Sequence, residues 1–222
     1  MNTTSKPAAN VRQEKIVTIA AFTAQGDLSE LETALNEGLD AGLTVSEIRE
    51  ILIQLYAYTG FPRSLNGIQT FMKVLTERQK QGITDPAGEA PSVLPAGTHR
   101  DEYGEKVRMQ LSGITELPPK SGYQLFAPGI DAFLKEHLFA DIFSRGVLNY
   151  ADREIVTVSA LSALSGTESQ LHYHINAAMN VGVTQAQLEK IFAVLNDKVG
   201  VKEAETAKNV YRKVIEKLSA TQ

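Results

Sequence analysis

Four histidines, His99, His137, His172 and His174, are the natural proton-transfer candidates in a 222-residue chain that has no cysteine. Two of them fall in one run, Glu168-Ser169-Gln170-Leu171-His172-Tyr173-His174. On a helix, residues three and four apart share a face. Thr167, Gln170, Leu171, His174 and Ala178 then line one side, apolar except for Thr167, Gln170 and His174. An imidazole on such a stripe titrates near neutrality and suits proton transfer, and Gln170, one turn earlier, is expected to orient it. A histidine on an apolar stripe is more often a packing residue. Here, however, the matching place in an internal repeat, described below, is Ala34, so packing alone does not demand the ring. His172 faces Glu168, Ser169 and Asn176 and is expected to be more exposed, at the margin of a substrate site. The two histidines are two residues apart and point to different helix faces, whereas helical zinc ligands are three or four apart. No metal and no cofactor is predicted.

A second constellation is Tyr56-Ala57-Tyr58-Thr59-Gly60-Phe61-Pro62-Arg63. Tyr58 and Phe61 could wall a small pocket, and Arg63 could meet a carboxylate bidentately. The structural alternative is a helix corner packed by aromatic rings. A third group is Phe143-Ser144-Arg145 with Asp152-Arg153-Glu154. Arg145 is either a second carboxylate clamp or part of an ion-pair network with Arg153 and Glu154. The sequence holds no dinucleotide-binding or phosphate-binding glycine loop and no nucleophile elbow.

The elements that must position these residues read as helices throughout. Helical spacing predicts helices over 14–24, from Leu28 to Leu39, and from a Thr44/Glu47 capping box to about Gly60, with another over 63–78. No window alternates with period two, so no sheet is expected. The pattern returns: Ile16-Val17-Thr18 recurs as Ile155-Val156-Thr157, Gly42 and Thr44 as Gly182 and Thr184, and Ile51, Leu55 and Gly60 as Ile191, Leu195 and Gly200. The expected architecture is all-α, a duplicated helical unit whose two copies pack as one compact chain. The boundaries read from the sequence are a first repeat at 11–80, a linker with one helix (98–113) at 81–124, and a second repeat at 125–218. One or two short helices are expected over 125–146. In the Tyr58 stretch the second copy reads Asn196-Asp197-Lys198-Val199-Gly200. The first copy thus keeps the aromatic corner and the second keeps the histidines, which points to one composite site.

Composition limits the partners. Hydrophobic residues make up 43% and charged residues 22%, enough for a sizeable core. A net charge of −4 argues against nucleic acid and against an anionic membrane surface. A small anionic substrate stays compatible, since a local site can be cationic on an acidic protein. The first ten residues are polar, without the apolar core of a signal peptide. No stretch reaches the length of a membrane span, so a cytoplasmic location is expected.

The run Ala151-Asp152-Arg153-Glu154-Ile155-Val156-Thr157, followed by Gln170-Leu171-His172-Tyr173-His174 and by Tyr58-Thr59-Gly60-Phe61-Pro62-Arg63 in the first copy, resembles the carboxymuconolactone decarboxylase family. The resemblance implies an alkylhydroperoxidase-D-like fold, a homo-oligomer with a trimer favoured, and His174 as the family's helix histidine. The peroxidase branch carries a cysteine pair where Thr167 and Gln170 stand here, so thiol peroxidase activity is excluded for this chain. The decarboxylase branch commonly carries Glu where Gln170 stands. The resemblance leads to a cofactor-independent carboxy-lyase acting on a small carboxylated lactone or related acid. His174 would be its proton donor, Gln170 would orient the histidine, and Tyr58, Phe61, Arg63, Arg145 and His172 would surround the substrate. The alternative from another class is a non-catalytic oligomeric binding or scaffold protein.

Overall fold

The computed structural model describes residues 9–220; Met1 to Ala8, part of the polar leader read above, lie outside the described residues. Among the described residues every regular element is helical. Two helices form the centre. α1 (Ala9–Gln25) and α7 (Tyr150–Ser162) pack side by side, and each is buried almost all round its inner length. Ile16 to Ala21 and Asp152 to Ser162 are inaccessible to solvent. A helix that is apolar on all sides belongs inside a core rather than on its surface.

Each central helix is followed by a helical hairpin. α2 (Leu28–Asp40) and α3 (Val45–Lys80) follow α1. α8 (Glu168–Asn180), α9 (Gln185–Val194), a π-helical turn (Leu195–Val199) and α10 (Val201–Ser219) follow α7. The packing crosses between the halves: α3 lies against α7 as well as α1, and α9 with its π turn lies against α1. Local chemistry sets the starts. Asp27 accepts the Glu30 N–H, and Thr44 with Glu47 and Thr184 with Gln187 both form complete capping boxes.

α3 departs from the expectation of two separate helices. It is one kinked rod, bent at Gly60, whose φ of +77° is open to glycine at little steric cost. Pro62 follows immediately and cannot donate a backbone hydrogen bond. The bend swings the 64–80 arm so that Ser64 Oγ donates to the Leu52 carbonyl across the corner.

The segment between the halves makes a separate layer. Residues 83–97 are irregular, as predicted, but they are pinned: Val45 and Ser46 N–H donate to the Pro86 and Ala87 carbonyls. α4 (Arg100–Ser112) then packs along a π-helical segment, Leu134–Ile142. Gly104 permits this, because a Cβ there would stand 1.8 Å from the Lys135 carbonyl oxygen. A buried ion cluster locks the pair. Arg108 meets Asp131 at 2.8 Å, and Lys135 meets Asp101 at 2.5 Å and Glu105 at 3.3 Å. The region over 125–146 is more broken than expected. It holds α5 (Tyr123–Phe126), α6 (Pro128–Phe133), the π segment and a 3-10 turn (Phe143–Arg145). Pro128 starts a fresh helix at its first position, where its missing N–H costs nothing. The α4/π layer builds a second apolar cluster from Val107, Leu111, Leu138, Phe139, Ile142 and Phe143, with Tyr58 and Tyr173 at its edge. It is the roof over the site described next. No helix among the described residues is long and apolar enough to cross a membrane.

Candidate active site

His174 projects from α8 into the interface with α7, and only 5% of its surface is accessible. Its Nδ1 lies 2.7 Å from Oε2 of Glu154, a residue of α7 that is fully buried. The ring sits in an aromatic box. Tyr173 meets it edge-on at 5.0 Å and Tyr58 at 5.5 Å. Tyr173 is in turn held by a hydroxyl contact of 3.1 Å to Ser112 on the roof. Burial pushes the Tyr173 phenol up to about 12. Burial raises Tyr58 further, with the Glu154 charge adding to the effect. Both phenols therefore stay protonated through the neutral range and are available as donors.

Behind the dyad lies a buried polar seam between α3 and α7. Glu50, Gln54 and Tyr58 recur every four residues and share one face of α3. Arg153 spans that face: Nη1 donates to Gln54 Oε1 at 3.0 Å and Nη2 to Glu50 at 3.3 Å. Gln54 Nε2 answers by donating to the Arg153 carbonyl at 2.8 Å. Arg145 adds a fork onto Glu50, through Nε at 2.9 Å and Nη2 at 2.9 Å. Desolvation lowers the Arg153 guanidinium below the usual arginine value, opposed by Glu50, and the group keeps its proton in the physiological range.

Three atoms in this small region are buried without a hydrogen-bond partner: Tyr58 Oη, Arg153 Nε and Glu154 Oε1. Native interiors leave few such atoms, and each costs about 1–3 kcal/mol. Two are donors and one is an acceptor.

The structure gathers some of the residues singled out in the sequence and scatters others. His174 and Tyr58 meet. His172 is half-buried beside them in sequence. Gln170 is exposed, so the group at Nδ1 is Glu154 and not Gln170. The expected stripe curves out of the core one turn before His174, because α8 begins only at Glu168 and its first turn faces solvent. Phe61 is 64% exposed and stacks on Tyr56 at 4.5 Å rather than against the dyad. Arg63 donates to the Ala24 carbonyl and lines a surface cleft with Gln25, Asp27 and Ala163. Ala163 is nine residues beyond Glu154, about 13 Å along α7 at helical rise, so Arg63 stands at the far end of that helix. Arg145 forks onto Glu50, one step removed from Glu154. The proposed network of Arg145, Arg153 and Glu154 thus divides: the two arginines share Glu50, and Glu154 serves His174.

Glu154, Glu50, Gln54 and Arg153 as a set escaped the sequence reading of the site. The signal was present in the apolar run that follows Glu154. A helix buried on all sides must find an internal partner for every charge it carries. Among the described residues no cluster of His, Cys, Asp and Glu could hold a metal ion.

The fold and this site define an all-helical protein of alkylhydroperoxidase-D-like architecture with a buried histidine–carboxylate pair in place of redox cysteines. Residues 128–213 match the model of the carboxymuconolactone decarboxylase family. The matched segment contains both members of the dyad, Glu154 and His174. Curated proteins give no significant match.

Proposed function

We propose that the protein is a cofactor-independent acid–base lyase that decarboxylates a small carboxylated lactone or a related acid. The observation that carries this reading is the His174–Glu154 pair, buried and 2.7 Å apart. The carboxylate fixes one ring nitrogen, which leaves Nε2 to deliver a proton. Decarboxylation breaks the C–CO₂ bond and leaves its electron pair delocalised as an enolate. Protonation of the carbon by His174 completes the turnover. The roof excludes water, so that proton comes from the protein rather than from solvent. With the dyad covered, reactant access requires the α4/π layer to move. Arg145 keeps its Nη1 uncommitted and can meet a remote carboxylate at the rim. Arg63 has no place in this scheme.

The further elements of the reading are also proposals. The parallel order of a core helix, a hairpin, a capping box and a glycine kink in each half supports an internal duplication. A homo-oligomer, with a trimer favoured, is supported by apolar side chains on the roof: Phe126 is 93% exposed, Phe133 68% and Leu125 67%. A monomer rarely leaves such a group uncovered.

The test is spectrophotometric turnover of a carboxymuconolactone-type substrate with parallel measurement of CO₂, using His174→Ala and Glu154→Gln as controls. Loss of lactone with stoichiometric CO₂, reduced about 10²–10⁴-fold in His174→Ala, is expected for a general acid. Folded wild-type protein that releases no CO₂, or a His174→Ala variant as active as wild type, would overturn the reading.

A further inference from the structure

We infer that Tyr58 Oη–H and Arg153 Nε–H form an oxyanion hole for an enolate developing beside His174. The inference rests on the lyase reading for its reaction and on the structure for its geometry. Both groups are hydrogen-bond donors and both are buried; Arg153 Nε has no partner, and Tyr58 Oη makes no hydrogen bond of normal geometry, only a weak interaction with the Thr157 hydroxyl, which already donates to the Arg153 carbonyl. They come from facing helices. Tyr58 follows Gln54 by one turn on α3, and Gln54 is bonded to Arg153 of α7 at both its amide nitrogen and its oxygen. The Tyr58 ring stands edge-on to His174 at 5.5 Å, which sets Tyr58 beside the proton donor.

Arg153 spends Nη1 on Gln54 and Nη2 on Glu50, and its guanidinium lies 5.8 Å from the centre of the Phe143 ring. These contacts fix the fork and leave Nε as its one nitrogen without a partner. Donors fixed in advance and shielded from water stabilise charge where it develops, at no cost of reorganisation during the reaction. The third orphan, Glu154 Oε1, is an acceptor and takes no part in holding an oxyanion. It belongs to the carboxylate that holds His174, and the local charges balance: Arg145 and Arg153 against Glu50 and Glu154, with His174 supplying the proton.

The arrangement defines the substrate class more narrowly than the fold does. The leaving carboxyl must sit β to a carbonyl, or be vinylogous to one, whose oxygen can accept from both donors. As the C–CO₂ bond breaks, the electron pair moves onto that oxygen, CO₂ departs, and the enolate carbon takes a proton from His174. Atoms and electrons balance with no external oxidant or reductant.

Tetronate, a five-membered lactone that is an enolate at neutral pH, is the probe, and neutral γ-butyrolactone is its control. Binding of each to wild type and Tyr58→Phe is measured by calorimetry, with thermal unfolding in parallel. The expected result is at least 10-fold tighter binding of tetronate than of butyrolactone by wild type. That preference should largely disappear in Tyr58→Phe, with a melting temperature equal to or above wild type because a buried orphan hydroxyl has been removed. Arg153→Lys should also weaken tetronate; if it fails to fold, Tyr58→Phe decides alone. Equal binding of the two probes by wild type, no binding of either, or an unchanged preference in Tyr58→Phe would overturn the inference. The CO₂ assay reports separately: enolate preference without decarboxylation keeps the hole and rejects the lyase, and decarboxylation without enolate preference does the reverse.

Discussion

The His174 site and the place that answers to it in the first half of the chain under the proposed duplication differ in chemistry and in cover. Where the second half carries Glu154 and His174, the first carries Lys15 and Ala34. Where α3 carries Glu50 and Tyr58, the later half carries Lys190 and Lys198. The first set is roofed by α4 and the π segment. The lysines of the other set line an open cleft of about 240 Å³ that includes Glu14, Lys15, Glu37, Lys190 and Lys198. There the charges form surface pairs, Lys15 with Glu37 and Lys190 with Glu14, each at 2.7 Å. The two places thus hold a dry, paired acid–base group and a wet ion pair. The roof decides between them, because a proton donor and an oxyanion hole gain their strength from low dielectric.

The comparison can be broken most sharply at the dyad. Removing the imidazole should cost about 10²–10⁴ in turnover. It should also cost about 1–3 kcal/mol in stability, since Glu154 Oε2 loses its buried partner. Glu154→Gln keeps a hydrogen-bonding side chain of the same shape, so a variant that stays folded but loses rate would separate the chemistry from the packing. Urea unfolding alongside the CO₂ assay makes that separation.

The next largest effect is expected at the roof. Gly104→Ala drives a methyl group into the Lys135 carbonyl. It should destabilise the α4/π layer by about 1–3 kcal/mol, as overpacking does. Hydrogen exchange should accelerate in 100–142 and at the dyad while the first-half helices stay protected. Uniform loss of protection across the molecule would show that the roof is not a separate layer.

Acid should loosen the same layer. Burial acts to raise Asp131, but hydrogen bonds from Arg108 and Gln124 with the charges of Arg108 and Lys135 outweigh it, and its carboxyl lies below the ordinary 3.8. A depressed carboxyl stabilises the fold fully above its unfolded value, and that contribution is lost as pH falls through the lower folded value. Roof exchange protection should therefore drop below about pH 4 in wild type, and an Asp131→Asn variant should lack this step. An identical acid profile in that variant would remove Asp131 from the account.

The smallest effect belongs to the open cleft. Lys190→Ala breaks a partly exposed pair and should change stability by about 1 kcal/mol or less. Enolate binding and turnover should stay at wild-type levels. A large loss of either would mean that the cleft contributes to function and that the two places are more alike than their residues.

The sequence by itself determined what depends on local chemistry. The helices, the capping boxes at Thr44 and Thr184, the break near Gly60, the irregular linker and the choice of His174 and Tyr58 as candidates all follow from spacing and side-chain type. The all-α class follows from the 3.6-residue periodicity. The tertiary structure decided the pairings. Nothing local tells Glu154 to face His174, 20 residues on, or Arg145 and Arg153 to converge on Glu50 about a hundred residues away. Gln170 has the right helical phase but the wrong depth, because phase is a property of the helix and depth is a property of what packs on it. The roof could not be read either. Its cover over the dyad depends on a close helix approach at Gly104 and on an ion cluster drawn from three segments, and such long-range contacts are fixed only when the whole chain has condensed.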